Sequence, residues 1–148
     1  MATRRSALRF LALSALSAIS LASCGGPSTR LVTVQAGKGE GKIEFSVKNL
    51  SDSPINTLFM AKTERIDAAG GNALDPNSPD GDKAWGPDLL DRAIATGKSE
   101  RVPVAEPGLW EARAVDRDGR EQRITRLKLQ AGGSYVLELY ESGWRVFN

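Results

Sequence analysis

Histidine is absent from this 148-residue chain, and cysteine occurs once, at Cys24. Without an imidazole there is no histidine general base, no Ser-His-Asp or Cys-His arrangement and no ordinary zinc site. A lone thiol excludes a disulfide within the chain, so stability must come from packing. No apolar run reaches the roughly 20 residues that a bilayer-spanning helix needs. The longest runs only from Phe10 to Ala22. A strong charge of one sign is missing too. The chain has 20 Lys and Arg against 18 Asp and Glu. Three of the cations, Arg4, Arg5 and Arg9, precede the apolar run, which leaves 17 against 18 and a net charge of −1 for the rest. A near-neutral domain offers no basic footprint for nucleic acid.

What is present at the start is an export layout: a basic beginning, a short apolar run, then small residues. The run ends in Leu21-Ala22-Ser23-Cys24, which resembles the lipobox of bacterial lipoproteins. That resemblance implies removal of residues 1–23, a diacylglycerol on the Cys24 thiol and further acylation, such as palmitate, at the new N-terminus. An Ala15-Leu16-Ser17 site would instead suit a general signal peptidase, and Arg4-Arg5 leaves the twin-arginine route open beside the general secretory one. The expected division is residues 1–23 as signal, 24–41 as lipidated cysteine, flexible tether and first short strand, and 42–148 as one β-domain. With Gly25 rather than aspartate after the cysteine, the resemblance implies outer-membrane sorting in a host with two membranes.

Beyond Thr29 the dominant pattern has period two, the signature of half-buried strands. Leu31 to Gln35 is a short strand. In Lys42 to Leu50, Ile43, Phe45 and Val47 alternate with Lys42, Glu44 and Lys48. Ile55 to Thr63 follows the Asn49 to Pro54 turn cluster, and its Leu58-Phe59-Met60 is apolar on both faces. Lys98 to Val104, Leu109 to Asp116, Arg120 to Gln130, the Tyr135-Leu137-Leu139 segment and Trp144 to Phe147 complete the set. Asp116-Arg117-Asp118-Gly119 reads as a hairpin turn whose glycine can take positive φ. Seven or eight strands with short turns predict an all-β, single antiparallel sandwich of immunoglobulin or transthyretin-like kind. Its core would gather Phe45, Val47, Trp110, Ala112, Tyr135, Leu137 and Leu139, with Glu111 and Arg113 facing water.

Ile66 to Ala84 breaks this pattern with glycine, proline, aspartate and asparagine, and reads as a long loop. A helical turn is expected between Trp85 and Ala95, with Pro87 at its first position. Asp75, Asn77, Asp80 and Asp82 supply oxygen donors of the type calcium takes, but an EF-hand spacing from Asp75 places Pro79 at position 5 and Asp80 where glycine belongs. They read as a solvated loop and only weak metal candidates. Asp88 and Asp91 form a carboxylate pair that a glycosidase could use as acid and base. Acids also gather at helix starts for dipole reasons. Arg113, Arg117, Arg120, Arg123, Arg126 and Lys128 fall along one hairpin, as a basic patch for headgroups or as cross-strand partners of Glu111 and Glu121. Arg123, Thr125 and Lys128 can share a face only if a bulge intervenes.

Trp85-Gly86-Pro87-Asp88-Leu89-Leu90, Pro107-Gly108-Leu109-Trp110 and Asp116-Arg117-Asp118-Gly119 together resemble an uncharacterised group of secreted bacterial β-sandwich proteins with a W-G-x-D-L-L motif. The likeness spans about Ala84 to Arg120. Asp91 stands where that group often has glycine. It implies a fold and no activity.

The sequence therefore predicts a lipid-anchored envelope protein, a non-catalytic binding or structural module requiring no cofactor. Its partners would be the membrane, through the lipid, and an envelope protein or ligand. The competing reading is a carboxylate- or metal-dependent hydrolase. The Ile66 to Asp91 segment is the expected contact surface, with Trp85, Asp88 and Asp91 as its candidate binding residues. Trp85 either reaches outward as an anchor or folds back over the sandwich.

Overall fold

The computed structural model describes residues 29–70 and 79–146. Seven strands run β1 Arg30–Gln35, β2 Glu44–Leu50, β3 Ile55–Lys62, β4 Ser99–Arg101, β5 Gly108–Asp116, β6 Glu121–Leu129 and β7 Ser134–Tyr140. Two short helices, α1 Thr63–Ala69 and α2 Pro79–Trp85, follow β3. The chain is all-β in its architecture, with one four-stranded sheet in the order β1-β7-β2-β4 and one three-stranded sheet in the order β3-β5-β6.

Period-two patterning builds a single main core between the sheets. Phe45 and Val47 of β2 and Tyr135, Leu137 and Leu139 of β7 meet Leu58 and Met60 of β3, Ala112 and Ala114 of β5, and Leu127 and Leu129 of β6. The expected strand phases hold at these positions. Trp110 is a partial exception. It packs against the core but is only half-buried, because its indole Nε1 donates to the Glu106 carbonyl at 3.0 Å near the sheet end.

The pairing is not wholly antiparallel. β2 and β7 run parallel over Glu44–Leu50 and Ser134–Tyr140, while every other strand pair among the described residues is antiparallel. Two strands so far apart in sequence carry no hairpin signal, so their direction is invisible to local patterning. β1 pairs with β7, so strand pairing begins at Arg30. The expected last strand near Trp144 is a short 3-10 turn, Glu141–Gly143, and an isolated bridge between Arg145 and Glu121.

The Asp116–Gly119 turn forms as the sequence suggests. Gly119 takes φ +77°. Asp116 Oδ1 accepts from the Asp118 and Arg120 amides at 2.9 and 2.8 Å, and Oδ2 accepts from Arg120 Nε at 2.7 Å. At the same end of the domain, Asn49 is fully buried and organises the β2–β3 turn. Its side-chain amide donates to the Ser53 and Ile94 carbonyls, and its oxygen accepts from the Ser51 amide and hydroxyl. No helix among the described residues is long and apolar enough to cross a membrane.

Candidate functional site

The segment after β3 differs most from expectation. Thr63–Ala69 is helical and ends at Gly70, whose amide bonds back to the Ile66 and Asp67 carbonyls at φ +57°. The other helical turn lies at Pro79–Trp85, not after Trp85, and Pro79 rather than Pro87 opens it. Proline suits a first helical position because its missing N–H would be unbonded there anyway. Both helices cover the outer face of the three-stranded sheet. Ile66, Ala84 and Trp85 form a second apolar cluster there with Ala61, flanked by Phe59 and Ala69. This explains the two-faced apolar run of β3: Leu58 and Met60 face the main core, while Phe59 and Ala61 face the helices.

Trp85 is therefore turned inward, 4% exposed, against the sheet's outer face rather than over one end of the domain. Asp88 is used locally. Its Oδ1 accepts from the Leu58 amide at 2.9 Å and from the Leu90 amide at 3.0 Å, and the Leu89 amide donates to the Leu58 carbonyl. The segment is thereby fastened to the free edge of β3, and Leu89 and Leu90 pack against the main core. The W-G-x-D-L-L string thus carries a buried indole, a turn at Gly86 with φ +78°, a carboxylate latch and two apolar anchors. Asp91 is exposed. The structure does not gather Trp85, Asp88 and Asp91 into one displayed surface.

Cys24, Asp75 and Asn77 lie outside the described residues, and Asp80 and Asp82 contribute backbone to α2. Among the described residues, no group of three or more His, Cys, Asp or Glu side chains could hold a metal ion.

Local pattern also misplaced Glu111 and Arg113, which are buried because α1 and the polar network of β6 cover their face. Arg113 and Arg123 are direct cross-strand neighbours on β5 and β6. Glu121 reconciles them. It accepts from Arg113 Nε at 3.0 Å, from Arg113 Nη2, and from Arg123 Nε at 3.1 Å, while Arg113 lies over the Phe59 ring. Burial alone would raise the Glu121 carboxyl; the two guanidiniums outweigh it and hold the group below its ordinary value. Arg120 is likewise paired with Asp116. These cations of the hairpin are bound up in cross-strand and turn contacts rather than in an open basic patch. The required bulge is present as well. Between Trp110 and Ala112, β6 carries two residues against one, and Arg126 there adopts φ +58°.

Opposite that bulge sits Glu111. Burial pushes its carboxyl above the ordinary value and Asp67 of α1 adds to this, with Arg126 and the buried Thr63 hydroxyl at the start of α1 pulling the other way. A carboxyl raised on folding binds its proton more tightly in the native state. Its contribution to stability is therefore complete below the unfolded value, about 4.3, and is lost as pH rises through the raised value. Glu111→Gln should raise the melting temperature at pH 7 and leave it nearly unchanged at pH 4. Thermal unfolding at both pH values checks this; an equal shift at both would contradict it.

The end of the domain away from Thr29 holds a cleft of about 480 Å³ beside Pro107, Gly108 and Leu109. Sequence reasoning missed it because three separate connections build it. Comparison with known proteins gives no match: no family model, no curated protein and no solved structure is significantly similar to the chain.

Proposed function

We propose that the protein is a bacterial lipoprotein, acylated at Cys24 and held at the cell envelope, whose β-domain is a non-catalytic binding or structural module. The domain would be a sandwich of immunoglobulin or transthyretin-like kind, and its resting place the outer membrane where the host has two. The observation that carries this reading is the lone cysteine directly after Leu21-Ala22-Ser23 at the end of a short export-type apolar run. Two or more acyl chains anchor stably where one does not. What favours binding over hydrolysis is the use of Asp88, whose carboxylate is committed to the Leu58 and Leu90 amides.

The anchor also suggests an orientation. Thr29 Oγ1 donates to Gln122 Oε1, and Gln122 donates in turn to the Tyr140 carbonyl, so the chain enters the domain at a fixed point. Five residues at about 3.4 Å each would hold that point within about 17 Å of the lipid. β1 then runs from Arg30 towards Gln35, and the cleft at the far end would face away from the bilayer.

Labelled palmitate should enter the wild-type protein and not Cys24→Ala, and the variant should accumulate as uncut precursor or escape in soluble form. Equal labelling of both would sink the proposal.

A further inference from the structure

We infer that the cleft beside Leu109 is a ligand site for a medium-length aliphatic chain ending in a carboxylate. The inference goes beyond the lipoprotein reading and does not depend on acylation of Cys24.

The cleft lies where β5 begins and β6 ends, with Gly39, Gly108, Leu109, Lys128, Leu129 and Ala131 among its walls. Its volume of about 480 Å³ falls within the span of small-ligand clefts, roughly 300–1,000 Å³. It is rigid on both sides. On one, the β1–β2 and β6–β7 connections interlock: the Gly39 amide donates to the Ala131 carbonyl at 3.2 Å and the Gly132 amide to the Gly41 carbonyl at 3.1 Å. A Cβ on Gly132 would run into the Glu40 carbonyl, and Gly132 sits at φ +74°, so only glycine permits this approach. On the other side, Trp110 Nε1 holds the Glu106 carbonyl and Lys62 Nζ, lying over the Trp110 ring, donates to the Pro107 carbonyl. Gly108 at φ +133° brings its backbone against that lysine. The Pro107-Gly108-Leu109-Trp110 string is thus the frame of one cleft wall. A preformed cleft spares a ligand the cost of ordering its site.

The chemistry of the walls names the occupant. Leu109 is 39% exposed, one of three large apolar side chains left open among the described residues. Pro107, Ala131 and glycine backbone beside it suit methylene groups, and Gln130 and Lys128 are the polar side chains of the lining. The cation in the lining is Lys128, which is exposed and makes no ion pair among the described residues. The nearby acid, Glu106, is already 3.7 Å from Lys62. The site therefore offers an apolar trough with one uncommitted positive charge at its rim. An aliphatic carboxylate matches both features, whereas an aliphatic ammonium matches only the first.

The test uses the purified full chain carrying labelled methyl groups, titrated with octanoate and, separately, with octylammonium. The methyl resonances of Leu109 and Ala131 are the readout, with Ala131 alone serving in the Leu109 variant. Octanoate should shift them saturably at millimolar concentration and octylammonium should not. Lys128→Glu should weaken octanoate on the order of tenfold, the size of one lost charge-assisted hydrogen bond. Leu109→Ser should weaken both amphiphiles. Both positions are exposed, so the variants should keep the wild-type melting temperature, which is measured alongside. Absence of a saturable octanoate shift, equal binding of octylammonium, or indifference to Lys128→Glu in a normally folded variant would each overturn the assignment. None of these outcomes bears on palmitate labelling at Cys24, so the two proposals fail separately.

Discussion

Glu121→Ala is expected to cost about 3–5 kcal/mol, the usual range for stripping one partner from a buried ion pair. The carboxylate lies between Arg113 and Arg123, and the side chains of Arg113 and Glu121 are both under one-tenth exposed. Its removal leaves a buried guanidinium facing another across the β5–β6 ladder, with the Phe59 ring still beneath it. Denaturant unfolding measures the loss. The pH dependence gives an independent check of sign. Because the Glu121 carboxyl is held below its ordinary value, its contribution is present above the unfolded value and disappears as pH falls through the lowered one. Wild type and variant should therefore converge in acid. That is the reverse of Glu111, whose penalty grows as pH rises. A loss under about 1 kcal/mol at neutral pH would mean that the pair behaves as an exposed one.

Trp85→Ala should cost about 3 kcal/mol, at the lower end of the range for buried tryptophan because its cluster is small. The loss should be concentrated in α1 and α2, since the second cluster is separated from the main core by the sheet itself. Amide exchange should quicken over residues 63–69 and 79–85 while β2 and β7 stay protected. An unchanged melting temperature with unchanged exchange would show that the indole is not packed as described.

Much of the sheet framework is legible in the sequence because alternation is a local property. Phe45 and Val47, or Tyr135, Leu137 and Leu139, declare their buried face without reference to any partner. Asp116 to Gly119 declares a turn because one aspartate and one glycine satisfy it alone. Leu58-Phe59-Met60 even signals that both faces of β3 are covered. What covers the outer face is not legible. Thr63–Ala69 is too short for a clear helical period, and the polar Glu111 and Arg113 carry no mark of the helices and network that bury them. The parallel pairing of β2 with β7 depends on contact between distant segments.

The candidate site was less legible than the fold. Asp88 stood out as an acid near a proline, yet the partner that defines its role is a backbone amide 30 residues away. The cleft depends on Gly39 and Gly132 from two connections and on Gly108 at the start of β5, and no spacing rule joins them. Lys128 looked like one charge in a row of cations. Arg113, Arg120 and Arg123 have acids beside them, whereas Lys128, like Arg117 and Arg126, makes no ion pair among the described residues.

The central claim is that the mature protein begins at an acylated Cys24. Its most direct test is the intact mass of the protein recovered from the host envelope, followed by sequencing of its first peptide. The account predicts a chain starting at Cys24, heavier than its polypeptide by a diacylglycerol and, where the amine is also modified, a further acyl group. A mature chain starting at any other residue, or an unmodified Cys24, would contradict it.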